Sequence, residues 1–178
     1  RYNSRYHSIQ VSATRRFGGS SQVQLAYTLS RNMTDNQTDR STAPQNAFDI
    51  RAEYGRATLD RRHITTVNYI YELPWYNKQA GLKGKLLGGW QVSGIVTHQT
   101  GLPFTATFAA FDPAGIGFLN ASSPAGGRAY VIGDPNSGGS QTQQQWFNTA
   151  AFFGPPASTS FPAIPGTSSR GLIEGPPT

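Results

Sequence analysis

The sequence contains no cysteine among its 178 residues. This excludes a disulfide scaffold, a thiol nucleophile and any cysteine-ligated zinc or iron–sulfur site. Charge is also scarce, because Asp, Glu, Lys and Arg make up 13% of the chain, about half of the usual share of ~25%. Uncharged polar groups are abundant instead, with 54 Ser, Thr, Asn and Gln residues. Aromatic residues reach 12%, too many for a disordered chain, so we expect a folded, turn-rich β protein.

The sequence also has no dense basic segment and no long apolar run. The net charge is +6, but the 12 Arg and 3 Lys are scattered, which argues against a nucleic-acid partner. The uncharged run at residues 86–111 contains many Gln, Ser and Thr residues and is therefore not a membrane helix. No nucleophile elbow, zinc-binding histidine pair or complete dinucleotide fingerprint occurs, so we predict neither an enzyme nor a bound cofactor or metal.

Four segments alternate apolar and polar residues with the period of a β-strand: residues 8–14, 23–30, 64–73 and 89–100. The first two are separated by Gly18-Gly19-Ser20-Ser21, which predicts a hairpin of antiparallel strands. The fourth is expected to continue through Phe104, Ala106 and Phe108, beyond a kink at Pro103. The sequence thus predicts an all-β fold with about four long antiparallel strands.

The middles of these strands lack charges, and Arg, Lys and Glu stand at their ends. Soluble strands usually carry charges on their wet face, whereas strands of about 9–11 residues with alternating polar and apolar positions are typical of membrane β-barrels. The polar positions predicted to face the lumen are Gln10, Ser12, Gln24, Thr28, Asn68, Gln91, Ser93 and Thr97. The apolar positions predicted to face lipid are Ile9, Val11, Val23, Leu25, Leu29, Val67, Val92 and Val96.

Aromatic residues and loop lengths support the same interpretation. Phe17, Trp75, Tyr76 and Trp90 cluster at the strand ends joined by the shorter connections, as in the aromatic girdles of membrane barrels. The connections alternate between four, about 30, about 15 and about 70 residues. Since short turns are periplasmic and long loops extracellular in such barrels, we divide the chain into barrel strands at 1–109, with an outer loop at 32–60, and an outer loop at 110–178.

Charged residues concentrate in the loop at 32–60. Its acids, among them Glu53 and Asp60, alternate with arginines, and we expect a solvated loop whose charges pair with one another. Residues 60–63 (DRRH) mark the start of the third strand at the polar rim. The Gly/Pro/Ser/Gln-rich segment 110–178 is either a ligand-contacting outer loop or a linker, and the sequence does not decide between them.

Several segments together resemble TonB-dependent outer-membrane receptors, in particular the group with an N-terminal carboxypeptidase-regulatory-like domain. The resemblance lies in residues 6–17 (YHSIQVSATRRF), 23–31 (VQLAYTLSR), 60–63 (DRRH), 71–74 (YELP), 87–97 (LGGWQVSGIVT), 100–105 (TGLPFT), 146–152 (WFNTAAF) and Arg170-Gly171.

The resemblance implies a barrel of about 22 strands with an internal plug, located in the bacterial outer membrane. Such a receptor imports a scarce small ligand with energy from the TonB complex. The implied partners are membrane lipid, the remaining barrel strands, the plug and, through the plug, TonB. These residues would form four strands in the C-terminal third, with the plug and the final strands outside them. The identity of the ligand and its contacts are not implied.

Two alternatives stay open from the sequence. One is an outer-membrane adhesion or structural barrel without transport, which would have the same strands. The other is a soluble secreted β-sandwich that binds carbohydrate through its aromatic residues.

Overall fold

The structure is a computed structural model, and it describes residues 3–36, 44–46, 48–75, 81–107, 128–153 and 166–178. Its strands are β1 (Ser4–Arg16), β2 (Gln22–Thr34), β3 (Gly55–Arg56), β4 (His63–Glu72), β5 (Gln91–Gln99), β6 (Pro103–Phe104), β7 (Tyr130–Val131), β8 (Phe152–Phe153) and β9 (Ile173–Glu174). The helical elements are α1 (Gly81–Leu87) and two 3-10 turns, Ile50–Glu53 and Thr149–Ala151. No helix within these described ranges is long and apolar enough to cross a membrane.

The four long strands form one antiparallel sheet in the order β1-β2-β4-β5, with β3 paired to β2. Each coincides with one of the four alternating segments and is extended or trimmed by a few residues. The two-residue period is a local property, and pairing each strand with its neighbour in sequence satisfies the backbone groups. The all-β prediction is confirmed.

The β1–β2 hairpin follows one register along its length. A backbone hydrogen bond joins Phe17 N to Ser21 O (2.8 Å) at the turn, and another joins Asp35 N to Asn3 O (3.1 Å) at the far end. Both bonds fit the register that places Gln10 opposite Thr28. Gly19 in the turn has φ +78°, and a Cβ there would lie 2.7 Å from a Glu72 carboxylate oxygen. The positive φ therefore favours glycine at this position, and a larger residue would also displace the Glu72 side chain.

The fourth strand ends earlier than the sequence predicted. β5 stops at Gln99, and Pro103–Phe104 forms the separate strand β6, which pairs antiparallel with β9. Proline has no N–H to donate to a sheet. Gly101 allows the backbone around Gly175 to approach closely, because a Cβ at position 101 would collide with the Gly175 carbonyl oxygen. Gln99 also exchanges two backbone hydrogen bonds with Thr178, N to O at 2.7 and 3.0 Å.

Contacts divide the chain into two compact units. The sheet unit comprises residues 8–29, 62–99 and 178, and the loop unit comprises residues 1–7, 30–61 and 100–177. The loop unit contains the short pairs β6–β9 and β7–β8. Its described core includes Tyr130, Ala151 and Ile173. No result tests the division at residue 109, which stays a prediction.

Candidate functional site

The sheet register separates the two predicted sets of residues. Opposite residues in antiparallel strands have their side chains on the same face. For example, Leu25 on β2 lies opposite Val67 on β4, and Val67 lies opposite Val96 on β5. The apolar face contains Ile9, Val11, Val23, Leu25, Leu29, Val67, Val92 and Val96. The polar face contains Gln10, Ser12, Gln24, Thr28, Asn68, Gln91, Ser93 and Thr97.

Polar and aromatic residues border the apolar face at both ends. On β1 the apolar residues lie between His7 and Arg15, and on β5 they lie between Trp90 and His98. Each interval is eight residues, about 27 Å along a strand at ~3.4 Å per residue. The apolar face is therefore a band with two borders, which we call the apolar band.

Both borders of the apolar band slant across the sheet by the same amount. The register places Val11 on β1 in the same row as His98, which forms the border on β5. The border on β1 is His7, four residues from Val11. At the other border, Arg15 on β1 is in the same row as Gly94 on β5. Gly94 is four residues from Trp90, which forms that border on β5. Four residues over three strand spacings of ~4.8 Å correspond to a tilt of roughly 43°. This tilt falls within the ~35–45° of membrane barrels and makes the band about 20 Å tall, close to the ~25 Å apolar band of such barrels.

Three of the four predicted interface aromatics lie exposed at one end of the sheet. Phe17 follows β1, Trp75 follows β4, and Trp90 precedes β5, with exposures of 44%, 66% and 61%. Arg15 lies over the Phe17 ring at 5.2 Å, and the Trp90 indole N–H donates to Leu86 O at 3.0 Å. Tyr76 lies outside the described residues.

Tyr69 covers a glycine within the apolar band. It is opposite Gly94, and a Cβ on Gly94 would lie 2.6 Å from the Tyr69 hydroxyl oxygen and 2.8 Å from the carbon that bears it. The ring therefore occupies the space that a side chain at position 94 would fill. This pairing supplies apolar cover where the β5 backbone would otherwise be bare.

A buried ion-pair cluster organises the loop unit. Glu53 is only 1% exposed, and one of its carboxylate oxygens binds two nitrogens of the Arg170 guanidinium. The other oxygen accepts from the Gln45 backbone N–H at 2.8 Å and lies 3.4 Å from Arg128 Nη2. The Gln45 side chain accepts from Arg128 N and Nε at 3.0 and 2.8 Å. Burial lowers the pKa of the Arg128 guanidinium, and the Glu53 carboxylate opposes that shift.

This cluster corrects the expectation of a solvated, self-paired loop at 32–60. Glu53 and Asp60 are buried, and the arginines that pair with Glu53 come from the C-terminal segment, Arg170 being 117 residues away in sequence. Asp60 accepts from the Asn32 backbone N–H at 2.7 Å and pairs with Arg56 at 2.8 Å. Sequence analysis did not predict that Arg128 and Arg170 pair with Glu53, because no local pattern distinguishes a buried arginine from a surface one.

Two of the resembling motifs have structural roles in the loop unit. Within WFNTAAF, the Asn148 side chain caps the 3-10 turn Thr149–Ala151 by accepting from Ala150 N at 3.1 Å, and the Trp146 indole donates to Glu174 O at 2.8 Å. In Arg170-Gly171, the arginine binds Glu53 while the glycine adopts φ +62°. Both motifs make their described contacts within the loop unit.

Comparison with known proteins identifies the family. A family model described as "Outer membrane beta barrel domain" matches residues 1–178. The chain belongs to this family. No curated protein and no solved structure matches it significantly. Membership places this outer membrane β-barrel domain in the bacterial outer membrane, and it excludes the alternative of a soluble β-sandwich.

The polar face of the outer membrane β-barrel domain is interrupted by three isoleucines. Ile64 is opposite Gln99, Ile70 is opposite Ser93, and Ile95 is opposite Asn68. Ile95 is 75% exposed. A shallow groove of about 370 Å³ lies beside Ile70 and Ile95, and its other lining residues are Gln22, Asn68 and Ser93 together with Tyr69 and Gly94 of the neighbouring rows. We call this feature the isoleucine groove.

The loop unit of the outer membrane β-barrel domain has an aromatic cavity of about 260 Å³. Phe147, Phe152 and Phe153 line it together with alanine and threonine residues. The Phe147 and Phe152 rings meet edge to face at 6.1 Å, and Phe153 stacks on Tyr130 at 5.0 Å. Among the described residues, no group of three His, Asp or Glu side chains is arranged to hold a metal ion.

Proposed function

We propose that the full-length protein is a plugged, TonB-dependent importer of a small ligand. The four strands form part of the barrel wall, the polar face lines the lumen, and the loop unit lies outside the cell. In this proposal the protein binds and passes its ligand without bond-making chemistry. The resemblance of residues 6–17, 87–97 and 146–152 to TonB-dependent receptors supports the proposal.

The isoleucine groove is the observation that favours a plugged barrel over an open or purely structural one. The interior of an open barrel is polar and filled with water, whereas other barrels are occupied by a plug. An exposed Ile95 beside Ile70 would leave apolar area in water. Covering an isoleucine side chain stabilises by roughly 1.5–3 kcal/mol. A plug packed against the groove supplies that cover.

The ordered loop unit favours a receptor. A linker needs no internal ion pairs, yet Glu53 brings together arginines from two distant segments. The loop unit also has an aromatic cavity large enough for part of a small ligand. Binding residues commonly lie on loops that a rigid scaffold positions.

The plug is tested by ion conductance of the full-length protein in planar bilayers. The wild-type protein is expected to conduct little, because the plug closes the lumen. Ile95→Asp places a charge in the isoleucine groove and should raise the open probability. Thr28→Asp adds the same charge to the same face outside the groove and serves as the control.

Energy coupling is tested separately, by binding of the full-length protein to the purified periplasmic domain of TonB. Saturable binding is expected. A wild-type barrel that conducts continuously and does not bind TonB would contradict the proposal and favour the adhesion or structural barrel.

A further inference from the structure

Two arginines and a histidine lie together where the apolar band ends on β1 and β2. In the hairpin register His7 is opposite Arg31, and Arg5 is the next residue on the same face of β1. Directly opposite residues in a hydrogen-bonded antiparallel pair have Cα atoms ~5.5 Å apart, and diagonal neighbours are ~7–8 Å apart. We call Arg5, His7 and Arg31 the cationic patch.

The charges of the cationic patch are available to a partner. All three side chains are exposed, and none takes part in an ion pair of the described residues. The carboxylate of Asp35, the residue that follows β2, is buried and accepts from the Asn3 backbone N–H at 2.8 and 3.0 Å. The patch therefore combines two permanent positive charges and one imidazole, and no acid of the described part of the chain forms an ion pair with it.

The position of the cationic patch indicates which surface it meets. Ile9 and Leu29 continue the same face toward the middle of the apolar band. The strand end after Thr34 leads into the long loop, which lies outside the cell in the orientation proposed above. Side chains that leave the apolar band at this end reach the headgroups of the outer leaflet.

We propose that the cationic patch binds the phosphate of a phosphorylated outer-leaflet lipid. A phosphate offers several acceptor oxygens, and guanidinium groups bind it through paired, charge-assisted hydrogen bonds. Basic residues at the membrane surface recognise anionic headgroups by the same chemistry. The site differs from any ligand site of the receptor because it lies on the outer face of the wall.

The proposal is tested by titrating the full-length protein in uncharged micelles with lipid A, a diphosphorylated disaccharide lipid, and measuring bound lipid by native mass spectrometry. The double variant R5Q/R31Q is expected to bind about 25-fold more weakly, roughly five-fold for each arginine. The control, R16Q/R62Q, removes two exposed arginines outside the patch, Arg16 on the polar face of β1 and Arg62 in the segment before β4, and should change affinity by less than about two-fold.

Further variants and ligands show whether the loss of lipid A binding comes from the arginines, the phosphate groups or a folding defect. R5K/R31K keeps both charges but loses the paired guanidinium donors, so it should bind lipid A more tightly than R5Q/R31Q and more weakly than the wild type. This variant also keeps the test valid if R5Q/R31Q fails to fold. Dephosphorylated lipid A should bind weakly to every variant, and inorganic phosphate should compete poorly. Equal losses in R5Q/R31Q and R16Q/R62Q, or equal affinity for phosphatidylglycerol and lipid A, would overturn the proposal. None of these measurements depends on TonB or on transport.

Discussion

An arginine at the middle of the apolar band should destabilise the barrel, and Val67 is the best position for it. Val67 lies four residues from His63 on β4, about 13 Å along the strand and, at the tilt derived above, about 10 Å inside the border. That depth is half of the ~20 Å band. An arginine facing lipid at the midplane costs about 2–4 kcal/mol.

Two comparisons make the prediction specific. Asn68→Arg places the same side chain one residue away on the polar face and should cost far less. Val92 faces the apolar band but lies only two residues from Trp90, about 5 Å inside the border. Val92→Arg should therefore cost about 1 kcal/mol, near the interfacial range.

The measurement is the free energy of unfolding of the full-length protein, refolded into lipid vesicles and titrated with denaturant. The expected order of cost is Val67→Arg, then Val92→Arg, then Asn68→Arg. Equal costs at positions 67 and 68 would refute the assignment of the two faces. Equal costs at positions 67 and 92 would refute the slanted borders.

Three further substitutions test the packing inside the two units. Glu53→Ala leaves two buried guanidinium groups without their shared carboxylate and should destabilise the loop unit by about 3–5 kcal/mol; faster hydrogen exchange in residues 128–153, with the sheet unchanged, would confirm it. Gly94→Ala pushes a methyl group against Tyr69 and should cost about 1–3 kcal/mol, a penalty that must disappear in a Tyr69→Ala background. Asn148→Ala removes the cap of the 3-10 turn and should cost about 0.5–2 kcal/mol, seen as faster proteolysis of residues 146–153; unchanged proteolysis would show that the cap does not hold the turn.

The strands could be predicted because their signal is local. Val23, Leu25 and Leu29 repeat with a period of two within a single strand, and a register that pairs neighbours places them on one face with Val67. The hairpin turn at Gly19 has an equally local signal. The end of β5 was harder to predict, because it depends on the segment around Gly175, which returns from more than 70 residues away.

The sequence by itself determined the four strands, their two faces and the apolar band between charged or aromatic ends. Alternation and the absence of charge are properties of consecutive residues, and lipid and water act on them directly. Only the tertiary structure decided which arginines Glu53 binds, where the isoleucine groove lies, and that Arg5, His7 and Arg31 form one patch. Each of these features is formed by residues that are distant in sequence. Strand pairing and the folding of the loop unit bring those residues together, and no pattern of consecutive residues shows that they meet.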